Sequence, residues 1–153
     1  MKNVGVISDT HGLLRPLAID ALQGSDYIIH AGDIGKQSIV EQLSEIAPVT
    51  AVRGNVDKGE LARLYPNDAV LKVENIFIYT IHILAELDLD PVAAGFQVVV
   101  TGHTHKDKIE VIDNVVYLNP GSAGPKRFSL PVTVAKLIVD DAKTTAEIVR
   151  LAV

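Results

Sequence analysis

The chain has no cysteine among its 153 residues. That excludes disulfides, thiolate metal ligands and cysteine nucleophiles, and it fits a reducing, cytoplasmic setting. Positive charge is also in short supply. Fourteen lysines and arginines face 19 acidic residues, for a formal net charge of −5. A broad grip on the phosphate backbone of long nucleic acid needs the opposite balance, so no extended nucleic-acid surface is expected. A site that carries its own cation escapes that argument. No apolar run is long enough to cross a bilayer, so no membrane partner is expected, and the first run, residues 4–7, is too short for the core of a signal peptide. Repeats, linkers and low-complexity tracts are missing as well.

What is present is a hydrophobic fraction of 48%, enough for a sizeable core in one domain spanning 1–153. Val4, Val6 and Ile7 read as a buried strand that stops at Ser8-Asp9-Thr10-His11-Gly12. Residues 13–22 carry apolar side chains at helical spacing, with Pro16 in the first turn and Gly24 beyond the end. A second strand at 26–29 runs into His30-Ala31-Gly32-Asp33. A helix at 39–46 and a strand at 48–52 follow, and that strand ends in Arg53-Gly54-Asn55-Val56-Asp57. This alternation predicts an α/β sheet with parallel strands, whose ligands bind beyond the strands' carboxyl ends. Asp9, Asp33 and Asn55 fall on that edge.

The second half changes character. Strands at 69–73 and 76–80 flank a hairpin turn at Glu74-Asn75, and His82 follows. A helix at 84–94 is interrupted at Asp90-Pro91. The apolar strand 97–101 delivers Gly102-His103-Thr104-His105. Strands at 108–112 and 115–118 turn at Asp113-Asn114, then Asn119-Pro120-Gly121-Ser122 leads to closing strands at 132–139 and 145–151. A mostly parallel first half and a hairpin-rich second half predict two sheets packed face to face, with helices outside.

Four of the five histidines, His11, His82, His103 and His105, lie at or just past strand ends. Extended backbone would put the side chains of Asp9 and His11 on one face, roughly 6–7 Å apart along the chain. His103 and His105 repeat that spacing. Carboxylates, imidazoles and an amide without thiolate suit Mn²⁺, Fe, Ni²⁺ or Zn²⁺ better than Ca²⁺. So many donors exceed the needs of one ion. They suit two, roughly 3.5–4 Å apart and bridged by a carboxylate.

The ordered set Asp9-x-His11, Gly32-Asp33, Gly54-Asn55, His82, Gly102-His103-x-His105 resembles the calcineurin-like metallophosphoesterase superfamily. It is closest to the small bacterial and archaeal phosphodiesterases of the YfcE type, a branch that Asn119-Pro120-Gly121-Ser122 also resembles. The resemblance implies a four-layer αββα sandwich of two mixed β-sheets flanked by helices. It implies a metal-dependent phosphodiesterase that cleaves small phosphodiesters with a hydroxide bridging two divalent ions. Mn²⁺ is the first choice, with Ni²⁺, Zn²⁺, Fe or Mg²⁺ as alternatives. Asp9, His11 and His105 would hold one ion, and Asn55, His82 and His103 the other. Asp33 would bridge both, and Asp33, Asn55 and His103 would stand nearest the catalysis.

His30 matches no ligand position and is expected to support the site structurally from its apolar strand. Asp57 is expected to cap its loop or brace a ligand. Ser122 and Arg127 are candidates for substrate contact, beside the simpler reading of their turn as pocket wall. Two departures stand out. Ile83 replaces the glycine that many relatives carry after the histidine matching His82, so the loop is expected to shift and loosen the second ion. Val56 stands where phosphatase-type relatives have a histidine that donates a proton. The rival readings are a non-catalytic scaffold like the phosphoesterase-like subunit of the retromer coat, and a phosphomonoesterase on the same site. Filled ligand positions favour an enzyme over the scaffold. A homodimer or higher homo-oligomer is the expected assembly, by the habit of such relatives.

Overall fold

In the computed structural model, which describes residues 1–153, strand alternation sets the layers. The first third runs β1 (Lys2–Ile7), α1 (Pro16–Leu22), β2 (Tyr27–His30), α2 (Gln37–Ser44) and β3 (Val49–Ala51). The chain continues through α3 (Glu60–Leu64), β4 (Asp68–Val73), β5 (Ile76–Ile81), a 3₁₀ turn at Leu84–Glu86 and α4 (Pro91–Ala94). It closes with β6 (Val98–Val100), β7 (Lys108–Ile112), β8 (Val115–Asn119), β9 (Thr133–Asp140) and β10 (Lys143–Arg150). No helix is long and apolar enough to cross a membrane.

The strands form two mixed five-stranded sheets, ordered β10-β9-β1-β2-β3 and β4-β5-β6-β8-β7. Val4 and Val6 of β1, with Leu137 of β9, face the second sheet and cluster with its Ile78, Val98, Val100 and Leu118. Ile7 faces the other way, into a cluster with Ala18 and Leu22 of α1 and Ile39 and Leu43 of α2. On the far side of the second sheet, Tyr79, Val99 and Val115 pack under Leu87, Leu89 and Phe96 of the 84–96 connection. The result is helix, sheet, sheet, helix, as the family resemblance implies, with a thin fourth layer of one 3₁₀ turn and the short α4.

Three details differ from the sequence reading. The first helix begins at Pro16, not at 13, because Arg15 is extended (φ −73°, ψ 143°), as residues before proline tend to be. Helix α3 has no buried residue, so no apolar face announced it. The second sheet is mixed, as the resemblance implies, but the hairpin-rich reading of its strands caught only its edges: β5, β6 and β8 are parallel at its centre, and the hairpins β4–β5 and β7–β8 lie outside them. The sign was Val98-Val99-Val100, apolar on both faces, as central parallel strands are.

This topology puts two sets of carboxyl ends at one rim. β1, β2 and β3 run parallel, with Ile7 opposite His30 and His30 opposite Ala51, so the loops at Asp9, Asp33 and Asn55 leave side by side. β5, β6 and β8 do the same for His82, His103 and the turn after Asn119. Leu137 is fully buried between the sheets. Leu137→Ala is expected to lower unfolding stability by about 2–5 kcal/mol in urea titration. A loss below about 1 kcal/mol would mean the sheets close over the gap.

Candidate metal centre

Asp9, His11, Asp33, His103 and His105 all have positive φ, between 46° and 73°. A non-glycine residue there costs roughly 1–2 kcal/mol, and such strain collects at functional sites. Four of the other five non-glycine residues of this kind, Glu74, Asp113, Asn114 and Asp141, sit at the hairpin bends that follow β4, β7 and β9. The extended geometry expected for Asp9 and His11 is therefore wrong. β1 ends at Ile7, and left-handed residues turn the chain so that both side chains reach one point. Main-chain bonds offset the strain. Asp9 N–H donates to Gly32 O (3.0 Å), His11 N–H to Asp33 O (2.9 Å) and Gly12 N–H to Ile34 O (2.9 Å), so the first two loops are laced together.

Two groups of potential ligands result: Asp9, His11 and His105, and Asp33, His82 and His103. Within each group the donor atoms lie within 4.8 Å of one another. Asp9 Oδ1 is 3.3 Å from His105 Nε2, 3.7 Å from His11 Nε2 and 3.9 Å from His82 Nε2. Asp33 Oδ2 is 3.6 Å from His11 Nε2 and 3.2 Å from His82 Nε2, so it stands between the groups. Asn55 Oδ1 lies 3.1 Å from both His82 Nε2 and His103 Nδ1. All seven residues that the sequence singled out as ligands thus meet at one place.

Each carboxylate is anchored by one oxygen and free at the other. Asp9 Oδ2 accepts from Ser8 Oγ (2.6 Å) and His103 N–H (3.1 Å). Asp33 Oδ1 accepts from Val56 N–H (3.0 Å). His82 Nδ1 donates to Ala31 O (2.6 Å), which leaves Nε2 as the ring atom facing the carboxylates. The ring itself is buried and pinned from behind.

Burial disfavours the charge on Asp9, yet hydrogen bonds with His105, His11 and Ser8 and the charge of His82 outweigh it and hold the carboxyl well below its usual range. Burial likewise opposes Asp33, and His82 and the Val56 N–H prevail, lowering its pKa. Burial would discharge His82, but Asp33, Asp9 and the Ala31 carbonyl raise its pKa.

The remaining named residues brace these groups. Asp57 is buried and collects the N–H groups of Ile34 (3.0 Å), Gly35 (3.0 Å) and Gly54 (2.9 Å), tying the Asp33 loop to the Asn55 loop. A Cβ on Gly54 would overlap the Asp33 carboxylate, and one on Gly102 would overlap the Ser8 hydroxyl. The sequence reading missed Ser8 and underrated Asn119. Asn119 Nδ2 donates to Gly102 O (3.0 Å) and Thr104 Oγ1 (3.2 Å), fixing the loop that carries His103. Ser8 adjoins the Asp9 motif and Asn119 opens the Asn119-Pro120-Gly121-Ser122 motif, but neither position foretells what its side chain bonds. Ser122 is no substrate contact: it is buried, and its hydroxyl donates to Asp9 O (3.1 Å). Arg127 lies exposed in the loop before β9, outside the ligand groups and both cavities that border them.

The donor set fits divalent cations. Asp9 Oδ1 and His11 Nε2 are buried without a hydrogen bond of good geometry, and they meet His105 Nε2 and Asp33 Oδ2 at one point, where a cation would satisfy them. Residues 1–142 match the calcineurin-like phosphoesterase superfamily domain, and the chain belongs to that superfamily. It is 32% identical over 159 aligned residues to a probable metallophosphoesterase of Methanothermobacter thermautotrophicus, covering 96% of this chain and 91% of that one. It is 27% identical over 162 residues to phosphodiesterase YfcE of Escherichia coli, covering 90% and 88%. Vps29 of Chaetomium thermophilum shares the fold, with a TM-score of 0.80 at 16% identity over 99% of this chain and 98% of that one. Family membership and the two ligand groups together support phosphoester hydrolysis with divalent metal.

His30 shows how tightly the centre is backed. Its Nδ1 accepts from Gly32 N–H (3.1 Å), so Nε2 carries the hydrogen and donates to Thr10 Oγ1 (3.0 Å), which donates to Ile34 O (2.8 Å). Burial pushes its pKa down to about 4, although the charges of Asp9 and Asp57 oppose this. Unfolded, the ring titrates near 6.5, so between the two values the unfolded chain binds more protons and stability rises with pH. As pH falls from about 6.5 to 4, His30 is expected to remove up to about 3 kcal/mol. Urea unfolding of metal-free protein across that window should show a smaller pH slope in His30→Gln. Equal slopes would contradict the assignment.

Proposed function

We propose that this protein is a metal-dependent phosphodiesterase that hydrolyses small phosphodiesters at a site for two divalent ions, Mn²⁺ foremost. The observation that carries the reading is the convergence of both ligand groups on Asp9 Oδ1 and Asp33 Oδ2. Asp9, His11 and His105 hold one ion; Asn55, His82 and His103 hold the other. Asp33 serves both, since its free oxygen reaches a histidine of each set. Bound there, divalent ions polarise phosphoryl oxygens and lower the pKa of water so that hydroxide is available near neutral pH. The chain's task is to keep the donors deprotonated and aimed. The Val56 N–H holds Asp33, the His103 N–H holds Asp9, and the Ala31 carbonyl fixes the tautomer of His82. Asp57 keeps the loops of Asp33 and Asn55 together.

Protein reconstituted with Mn²⁺ is expected to bind close to two ions per chain and to cleave a p-nitrophenyl phosphodiester. Asp33→Ala should lose more metal than Asp9→Ala, because it removes a ligand from both positions. Elemental analysis and metal titration decide. An Asp33→Ala protein with one intact high-affinity site would remove the bridging role, and the absence of any metal-stimulated hydrolysis would remove the enzyme reading.

The departing oxygen has no side-chain acid beside it at position 56. Val56 is 45% exposed at the site's edge and cannot donate a proton. General acid help is typically worth about 10²–10⁴-fold, so the rate should fall steeply as the leaving group becomes more basic. A series of substituted phenyl diesters measures this slope. Val56→His, at equal metal content, is expected to flatten it, and a shallow slope in the unaltered protein would show that another donor acts.

A further inference from the structure

The ligand groups stand between two cavities of different size and character. The larger, about 820 Å³, opens beside Gly102 and His103 and is walled by Leu84, Leu87, Ile112 and Tyr117. The smaller, about 260 Å³, opens beside Asn55 and His82 and reaches Arg53, Asn67 and Glu86. Ile83 borders both. A phosphodiester has two ester arms that leave phosphorus in different directions. His103 lines one cavity, Asn55 and His82 line the other, and all three face the same point across Asn55 Oδ1. A phosphate held there has an outlet on each side of Ile83.

The two outlets differ in chemistry. Leu84 and Ile112, at 48% and 45% exposure, leave apolar side chains open at the larger cavity. An apolar group seated against them recovers roughly 25 cal/mol per Å² of buried area. Its volume lies within the usual range for small-molecule sites, whereas the smaller cavity falls below that range and has room only for a short group. Its only hydrophobic lining residue is Ile83. Arg53 is held at its rim by bonds to Ala62 O (3.3 Å) and Tyr65 O (3.2 Å), and Glu86 adds an acceptor.

Resting on the phosphodiesterase reading, we propose that the site selects unequal diesters. A bulky apolar arm, aryl or medium-length alkyl, lies in the larger cavity, and a short hydroxylated arm lies in the smaller one. Ile83 is the partition that determines which arm goes where.

The test uses p-nitrophenyl diesters whose second arm is 2-hydroxyethyl, propyl, hexyl or cyclohexylmethyl, so that the leaving group is constant, and for the 2-hydroxyethyl ester it counts only turnover that yields 2-hydroxyethyl phosphate, not the cyclic phosphate formed when the arm's own hydroxyl attacks phosphorus. kcat/KM is expected to be highest for 2-hydroxyethyl and at least about tenfold lower for the two bulky arms, a difference typical of pocket discrimination. Ile83→Ala should shrink that difference by opening the partition. Rates that rise with arm size, or a dependence that Ile83→Ala leaves untouched, would overturn the proposal.

A second readout does not need turnover. With Zn²⁺ bound, the 2-hydroxyethyl ester of 4-nitrobenzylphosphonate, whose aryl arm is bonded to phosphorus through carbon and cannot leave, should shift the methyl resonances of Leu84, Leu87 and Ile112. Shifts there without hydrolysis of any diester would keep the cavity assignment and sink the enzyme reading. Bound analogue that leaves those methyls unmoved would sink the cavity assignment.

Discussion

Everything at the rim depends on two carboxylates, each held by one oxygen and free at the other. The anchors are main-chain N–H groups from distant loops, His103 on Asp9 and Val56 on Asp33. A buried carboxylate with both oxygens satisfied would be inert, and one with neither satisfied would be too costly to keep ionised. The half-satisfied state keeps negative charge aimed at the histidines and leaves it unbalanced until a cation arrives. Asp57, Asn119, Ser122 and Gly54 all serve to keep those two anchors in register.

The left-handed backbone at five of the ligand residues follows from the same requirement. Donors on five loops must reach points within a few ångströms of one another, and extended chain cannot deliver pairs such as Asp9 and His11 to a single point. The chain turns back sharply at the residue that carries the donor, and the strain is borne by ladders such as Asp9 to Gly32 and His11 to Asp33. Those ladders extend the parallel pairing of β1 and β2 beyond the strands themselves.

Much of this was legible in the sequence. The strand–helix alternation placed Asp9, Asp33 and Asn55 on one edge, His82, His103 and His105 were read as lying at or just past strand ends, and the family resemblance joined the two sets before any geometry was known. The conformation of that edge was not legible, because left-handed aspartate and histidine have no compositional mark as glycine does. Helix α3 was invisible because it buries nothing. The parallel centre of the second sheet was masked by hairpin turns at its edges, which are local signals, while the pairing of β6 with β8 joins residues far apart in the chain. Ser122 and Asn119 were read as wall. Their side-chain bonds to the Asp9 and Gly102 carbonyls are tertiary facts that no motif spells out.

The division of the donors between the sheets has a mechanical meaning. Asp9, His11, Asp33 and Asn55 follow strands of the first sheet, while His82, His103 and His105 follow strands of the second. Between the sheets lies mainly apolar side-chain packing, with hydrogen bonds across it at the ends, such as His82 to Ala31 and Asn75 to Asp141. A cation held by donors from both sheets would be a clasp across that plane, and its affinity would double as a gauge of how the sheets are seated. A substitution deep in the apolar layer, far from any donor, can announce itself first as weakened metal binding, before the protein shows any loss of fold.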